Sequence, residues 1–259
     1  MTVATLQTNN IGSNPFQVDI TQASGSGIIL PSFKLGTVSY GDSSSEFVYV
    51  KYTSVANQVL KPGLLFYIDD DFNATILTTS ASPRGSVIGV CCIGMGNYGA
   101  QFTTVTGTVY YMWLARAGQF PITYTTIATA GNLAETTATA GAVNMPNTAT
   151  VSSKLIVGLY VTKGTAPATF TGTTVNGSTA VTVAPGQITL DSGPAWIGST
   201  LSATGIASSQ TITGFTYSQP NVITGLTLSA AATASGTVTI TPTLVQEARV
   251  LWPYVDKTN

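Results

Sequence analysis

Short stretches of strand-forming residues recur along the whole chain and limit the folds open to it. Thr alone makes up about one residue in six, and Val, Ile and Tyr are also frequent. β-Branched and aromatic side chains suit a pleated, half-buried surface. The clearest alternation is Thr237-Val238-Thr239-Ile240-Thr241, which is apolar on one face and carries hydroxyls on the other. The pattern predicts an all-β protein of the barrel or sandwich class.

Similar patterns predict further strands at 47–52, 87–93, 105–114, 155–161, 178–183 and 244–252. Turn signals separate them. Lys61-Pro62-Gly63 fits a type II turn, and Asn176-Gly177 is typical of a type I′ hairpin turn. No long stretch keeps a helical period between helix caps.

Composition divides the chain into three predicted parts. Residues 1–45 are polar and turn-rich, which predicts an extended N-terminal arm. Residues 46–165 hold most of the tyrosines and charges, and the same character returns at 243–259, so these two stretches are predicted to form a small β-barrel or sandwich body. Residues 166–242 are rich in Thr, Gly, Ala and Ser with Asp191 as their single charge. They are predicted to form a small β-module inserted at a loop of the body.

Charged side chains are scarce. The chain has nine Lys and Arg, ten Asp and Glu, no His and a net charge of −1, so charged residues are 7% of it against the usual quarter or so. A surface with so few ions is easy to dehydrate, and near-zero net charge favours association. These features indicate a surface that lies against other protein.

The same composition argues against several classes of partner. The cations are scattered rather than clustered, so nucleic-acid binding is not expected. No run of apolar residues is long enough to span a membrane. Residues 1–10 lack the basic start of a secretory signal, so no secretory signal is expected there.

Motifs that suggest chemistry are incomplete, and neither catalysis nor a cofactor is expected. A hydrolytic triad lacks its histidine base. The glycine pattern at 94–99 is followed by a strand-like run instead of the helix that a dinucleotide site needs. The acidic run Asp69-Asp70-Asp71 lacks the glycine and glutamate of a calcium loop, which leaves a solvated turn or a loose cation site. Cys91 and Cys92 are adjacent, so one is expected in a core and the other facing outward.

Aromatic residues supply the candidate binding positions. These aromatic residues are Trp113, Trp196 and Trp252, with Tyr110, Tyr111 and Tyr254. Such side chains can form a sugar-stacking or protein-contact surface, or pack in the core and at strand ends. The residue types alone leave these alternatives open.

Several segments, taken in order, resemble tailed-bacteriophage capsid decoration (cement) proteins with a small β-barrel body. The segments are Phe47-Val48-Tyr49-Val50-Lys51, Lys61-Pro62-Gly63, Tyr67-Ile68-Asp69-Asp70-Asp71, the stretch 83–90, the stretch 111–118 with Trp113 and Arg116, and Leu251-Trp252-Pro253. The resemblance covers 46–165 and 243–259, while the insert is similar to a small β-module of phage head and fibre proteins.

The resemblance implies a structural virion protein and no enzyme. Such a protein would be made in the host bacterial cytoplasm and would bind the outer face of the capsid, where it cements neighbouring major capsid subunits, often as a homotrimer. The expected partners are then the major capsid protein and further copies of the chain, and the expected contact residues are Trp113, Arg116, Trp196, Trp252 and Tyr254. The alternative is a phage head fibre or a receptor- or glycan-binding protein.

Overall fold

A computed structural model gives the fold of the 259-residue chain. It describes residues 15–16, 18, 31–41, 44–94, 102–125, 131–144, 154–162, 169–188, 201–207, 210–218, 222–242 and 245–258. Within these ranges the chain forms strands and no helix, as the sequence predicts. No helix that would cross a bilayer is therefore found in the described residues.

The described strands, in chain order, are β1 (Val38–Tyr40), β2 (Glu46–Thr53), β3 (Val59–Leu60), β4 (Leu65–Ile68), β5 (Asn73–Ile76), β6 (Val87–Cys91), β7 (Phe102–Thr103), β8 (Val109–Thr123), β9 (Leu133–Thr136), β10 (Val143–Asn144), β11 (Lys154–Val161), β12 (Phe170–Thr174), β13 (Ala180–Val183), β14 (Leu201–Ser202), β15 (Ile212–Ser218), β16 (Val222–Leu228), β17 (Gly236–Pro242) and β18 (Val245–Thr258).

Five strands of the body form a small barrel. β2 pairs with β5, β5 with β4, β4 with β6, β6 with β8, and β8 with β2 again, so the pairings close on themselves. Side chains from all five strands meet in one buried cluster, which fills the interior. The members of that cluster include Val48, Val50, Phe66, Cys91 and Met112. The short pair β3–β7 lies outside this ring of pairings.

A second buried cluster covers the outer face of the barrel. β18 pairs with the second half of β8, and β11, β9 and β10 follow in order, which extends the sheet to ten strands. Alternate residues of β2 and β6 join residues of β11 and β18 in this cluster, among them Tyr49, Val90, Ile156 and Val250. The barrel wall is thus buried on both faces.

Burial on both faces corrects the prediction for the two cysteines. Cys91 points into the barrel and Cys92 points into the outer cluster, as adjacent residues of an extended chain do. Both are fully buried and both are free thiols. The outward-facing cysteine expected from the sequence is wrong because a second layer covers that side.

The strands between 170 and 242 form a separate sheet. Its order is β14-β17-β12-β13-β16-β15, and its own buried cluster draws only on residues of this stretch, including Phe170, Leu226 and Ile240. The strands that precede and follow the stretch, β11 and β18, are antiparallel neighbours in the body. This is the topology of a small β-module inserted between two paired strands.

The turn that joins β12 to β13 differs from the predicted type. The Ser178 N–H donates to the Val175 carbonyl at 3.0 Å, which closes a four-residue turn. Gly177 has a φ of +80°, while Asn176 is not among the residues with positive φ. A type I′ turn needs positive φ at both central positions, whereas a type II turn needs it only at the second. The Asn176-Gly177 turn is therefore type II.

Part of the predicted arm packs on the body. β1 pairs antiparallel with β2, and the Phe33 ring meets the rings of Tyr49 and Trp113 edge-on at centroid distances of 5.4 and 5.2 Å. Phe16 is buried, and its carbonyl accepts a hydrogen bond from the Gly94 N–H at 2.9 Å. The body sheet therefore begins before residue 46, and most of residues 1–30 lies outside the described residues.

Candidate protein-docking surface

The predicted contact residues fall into three groups. Trp113 is only 2% exposed and packs against Phe33 and Tyr49, so it is a core residue and its prediction as a contact residue is wrong. Trp196 lies outside the described residues. Arg116, Trp252 and Tyr254 lie in one neighbourhood at the end of the barrel where β6, β8 and β18 meet.

A β-bulge in β18 presents Trp252 to solvent. Burial alternates from Ala248 to Val250 in β18, but Leu251 and Trp252 are both exposed and Pro253 is buried again. On the partner strand, Val157 pairs with Tyr254 and Leu159 pairs with Val250. Three residues of β18 thus lie opposite one residue of β11. Bulges of this kind redirect side chains at sheet edges and barrel rims.

The bulge depends on Gly158, the single residue opposite it. A Cβ atom on Gly158 would lie 2.4 Å from the Leu251 carbonyl oxygen, and Gly158 has a φ of +84°. Trp252 itself has a φ of +44°, which is unusual for a bulky residue and is associated with a strain of about 1–3 kcal/mol. The exposed Trp252 therefore lies on a strained backbone, opposite a glycine that leaves room for the bulge.

Four exposed apolar residues of β6 and β18 lie in this part of the sheet, and we call them the β18 patch: Val87, Leu251, Trp252 and Tyr254. The four side chains are between 38% and 56% exposed, and Tyr254 pairs directly with Val87 across β18 and β6. Tryptophan and tyrosine are enriched among the residues that dominate binding energy in protein interfaces. The β18 patch therefore has the composition of a protein-contact surface.

A pocket of about 490 Å³ opens at the same end of the barrel. Val48 and Ile68 of the interior cluster reach it, together with Phe72, which packs on that cluster. Its other lining residues are Tyr67, Asp69, Asp70, Pro83, Arg84, Gly85, Ser86, Val87 and Arg116. Val87 belongs to both the pocket and the β18 patch, so the two features are continuous. Barrel mouths are common positions for binding pockets.

The two arginines of the pocket differ in how firmly they are held. Arg116 donates its Nε hydrogen to the Glu46 carboxylate, and both side chains of this ion pair are largely buried. Arg84 is 77% exposed and lies 3.9 Å from an Asp256 carboxylate oxygen. Arg116 is thus a fixed part of the pocket wall, whereas the Arg84 guanidinium is available to a partner.

The acidic run at the pocket rim forms a self-contained turn. The Asp69 carboxylate accepts hydrogen bonds from the backbone N–H of Asp71 at 3.0 Å and of Asn73 at 2.8 Å. The Asn73 side-chain amide donates to the same carboxylate at 3.0 Å. Among the described residues, no group of three acidic or cysteine side chains is placed to hold a metal ion. The Asp69 oxygens thus fix the turn that carries the pocket rim.

Groups with shifted pKa values lie away from this surface. Burial raises the pKa of the Cys91 thiol to about 12 and lowers the pKa of the Lys61 amine to about 8. Burial also raises the pKa of Glu135, in β9. A thiol that stays protonated is a poor nucleophile and metal ligand. These shifts follow from packing in the body.

Sequence reasoning missed Val87, Leu251, Arg84 and the pocket itself. Each of the three residues lies in a segment on which the family resemblance rests, but nothing in the segments marks them as exposed. The pocket depends on the closing of the five-stranded ring, which joins residues far apart in the chain. Comparisons with known proteins add no relative, because no family model and no curated protein matches the chain.

Proposed function

We propose that the chain is a structural virion protein that binds the outer face of a bacteriophage capsid and cements neighbouring major capsid subunits. The observation that carries this proposal is the charge-poor surface. The folded chain exposes 11567 Å² and has only nine cationic and ten anionic side chains to place on it. Such a surface loses little hydration energy when other protein covers it.

The β18 patch supports a role in protein contact. Its aromatic and aliphatic side chains remain exposed although they are large enough to stabilise a core. Its strained bulge keeps Trp252 outside, which is the kind of local cost that functional sites retain. The ordered resemblance to capsid decoration proteins supplies the identity of the partner.

If the chain binds the assembled shell in preference to separated subunits, binding stabilises the shell by mass action. Clamping adds apolar contact across subunit seams, and exposed strand edges add further pairing. This mechanism needs no catalytic residue and no cofactor.

The test uses purified phage particles that contain the chain. Quantitative mass spectrometry should find close to one copy per major capsid subunit, and electron microscopy should show its density on the outer face across subunit seams. Absence from washed particles, or density confined to the tail, would contradict the proposal.

The alternative is a head fibre or glycan-binding protein, and the pocket at the barrel mouth favours it. Tyr67 offers a ring, while Asp70 and Arg84 offer an acceptor and donors beside it, a combination suited to a sugar. A fibre would be present in tens of copies per particle instead of hundreds. The stoichiometry measurement therefore separates the two functions.

A further inference from the structure

We propose that the barrel-mouth pocket binds a neutral sugar unit of a glycan, with Asp70, Arg84 and Ser86 as its hydrogen-bonding groups. The inference goes beyond cementing, because it assigns the pocket a ligand that contact with a capsid does not require. It also gives the alternative function its ligand class. Saccharide binding is measured on the free chain, without shells, so its failure is distinguishable from a failure of capsid binding.

Polar groups on two walls of the pocket are available to a ligand. No side-chain hydrogen bond joins Asp70 or Ser86 to another of the described residues. Arg84 is 77% exposed, and its pairing with Asp256 at 3.9 Å is of the exposed kind that contributes little, so a ligand displaces it at small cost. The three groups are an acceptor, a donor and a hydroxyl that serves as both. Sugar hydroxyls, which each donate and accept, match that set.

Hydrogen bonds elsewhere in the pocket hold both walls in place. On one wall, backbone N–H groups donate to the Asp69 carboxylate and fix the turn that carries Asp70. On the other wall, the Gly85 N–H donates to the Val255 carbonyl at 2.8 Å, and the Val255 N–H donates to the Ser86 carbonyl at 3.1 Å. Binding therefore has little protein to order, which lowers the entropic cost of holding a small ligand.

The remaining lining suits the faces of a sugar ring. Tyr67 and Phe72 contribute aromatic rings to the pocket, and Ile68 contributes an aliphatic surface. The C–H groups on the face of a sugar ring pack on such surfaces, while the hydroxyls at its edge reach the polar groups. The volume of about 490 Å³ accommodates a hexose unit together with its linkage, and falls within the range of roughly 300–1,000 Å³ typical of small-molecule sites.

The balance of charge in the pocket favours a neutral ligand. Its charged lining residues are two carboxylates and two guanidiniums: Asp69, Asp70, Arg84 and Arg116. The Glu46 carboxylate already neutralises Arg116. An ionic sugar or a charged peptide would therefore meet repulsion as well as attraction. An apolar side chain of another protein would cover Asp70 and Ser86 without replacing their hydrogen bonds to water, which is costly.

Saturation-transfer difference NMR on the full chain tests the proposal. The neutral probes are the methyl glycosides of glucose, galactose, mannose and N-acetylglucosamine, and glucuronate is the anionic probe. At least one neutral probe should bind saturably. Asp70→Ala and Arg84→Ala should each weaken that binding by roughly tenfold or more, because each removes a charge-assisted hydrogen bond. Asp71→Ala is the matched control, since Asp71 is an adjacent exposed carboxylate that does not line the pocket, and it should leave binding unchanged.

Several results would overturn the proposal. One is the absence of saturable binding by every neutral probe, and another is glucuronate binding that is tighter than that of all the neutral probes. Binding that Asp70→Ala and Arg84→Ala leave unchanged would place the sugar outside the pocket. Equal losses in Asp70→Ala and Asp71→Ala would indicate a general effect of acidic charge and would overturn it as well. All three substitutions are at exposed side chains, and circular dichroism melting establishes that each variant is folded.

Discussion

At the scale of single residues, Gly158 determines the shape of the candidate surface. Replacement by Ala should destabilise the body, because the new Cβ would lie 2.4 Å from the Leu251 carbonyl oxygen and the residue has a φ of +84°. The free energy of unfolding, measured with urea, should fall by about 2–4 kcal/mol.

Gly107→Ala is the matched control for that prediction. Gly107 has a similar φ of +79°, but no atom lies within 4 Å of the position that a Cβ would take. The free energy of unfolding should therefore fall only by the cost of holding Ala at positive φ, about 1 kcal/mol. Equal losses in the two variants would show that the close approach to Leu251 contributes nothing.

The buried amine of Lys61 predicts a pH dependence of stability. Burial lowers its pKa from 10.5 to about 8 in the folded chain, so the unfolded chain binds the proton more tightly. Charged Lys61 therefore destabilises the fold fully below pH 8, and this penalty disappears as the pH rises from 8 towards 10.5. Lys61→Met should be more stable than wild type at pH 7, by up to about 2 kcal/mol, and the difference should shrink by pH 10.

Urea unfolding of wild type and Lys61→Met at several pH values measures this difference. Tyrosines and cysteines that titrate in the same range are common to both chains, so their contributions cancel. A difference that stays constant from pH 7 to pH 10 would mean that the Lys61 amine is hydrated in the folded chain.

At the scale of elements, the sequence predicts strands well where alternation is uninterrupted. The predicted strands at 47–52, 155–161 and 178–183 correspond to β2, β11 and β13. The strand predicted at 105–114 is different, because it begins at Val109 and continues through Gly118 to Thr123. The Gly107 N–H donates to the Ser54 carbonyl at 2.7 Å, which holds 105–108 in a turn. Pairing with β18 extends the far end of the strand.

The candidate surface was predictable only in part, because pairing between distant strands decides which of its side chains are exposed. Aromatic composition singles out Trp252 and Tyr254 but also Trp113, which the second layer buries. The exposure of Trp252 depends on a bulge opposite Gly158, a residue more than ninety positions earlier in the chain. Local patterns carry no information about such pairings, so the bulge and the pocket require the folded structure.

The insertion of the module predicts that the body folds without it. β11 and β18 pair directly, with Val161 opposite Ala248, so a short Gly-Ser link in place of residues 166–242 would join them as a hairpin. The shortened chain should keep one cooperative thermal transition, because the buried clusters of body and module share no residue. Loss of that transition would show that the module supplies core to the body and that the predicted boundaries are wrong.

At the scale of the whole molecule, the proposed function predicts a mechanical effect on shells. A protein that binds only the assembled shell lowers the free energy of that state, by about 2.7 kcal/mol per site at a free concentration one hundred times the dissociation constant. Particles stripped of the chain should therefore rupture at a lower temperature than decorated ones, as followed by the release of packaged DNA to a dye. Adding back the purified full chain should restore the original rupture temperature, and adding back the chain without residues 166–242 should restore it too, because the body carries the β18 patch and the barrel-mouth pocket. Identical rupture temperatures for stripped and decorated particles would contradict the cementing function whatever the oligomeric state of the free chain.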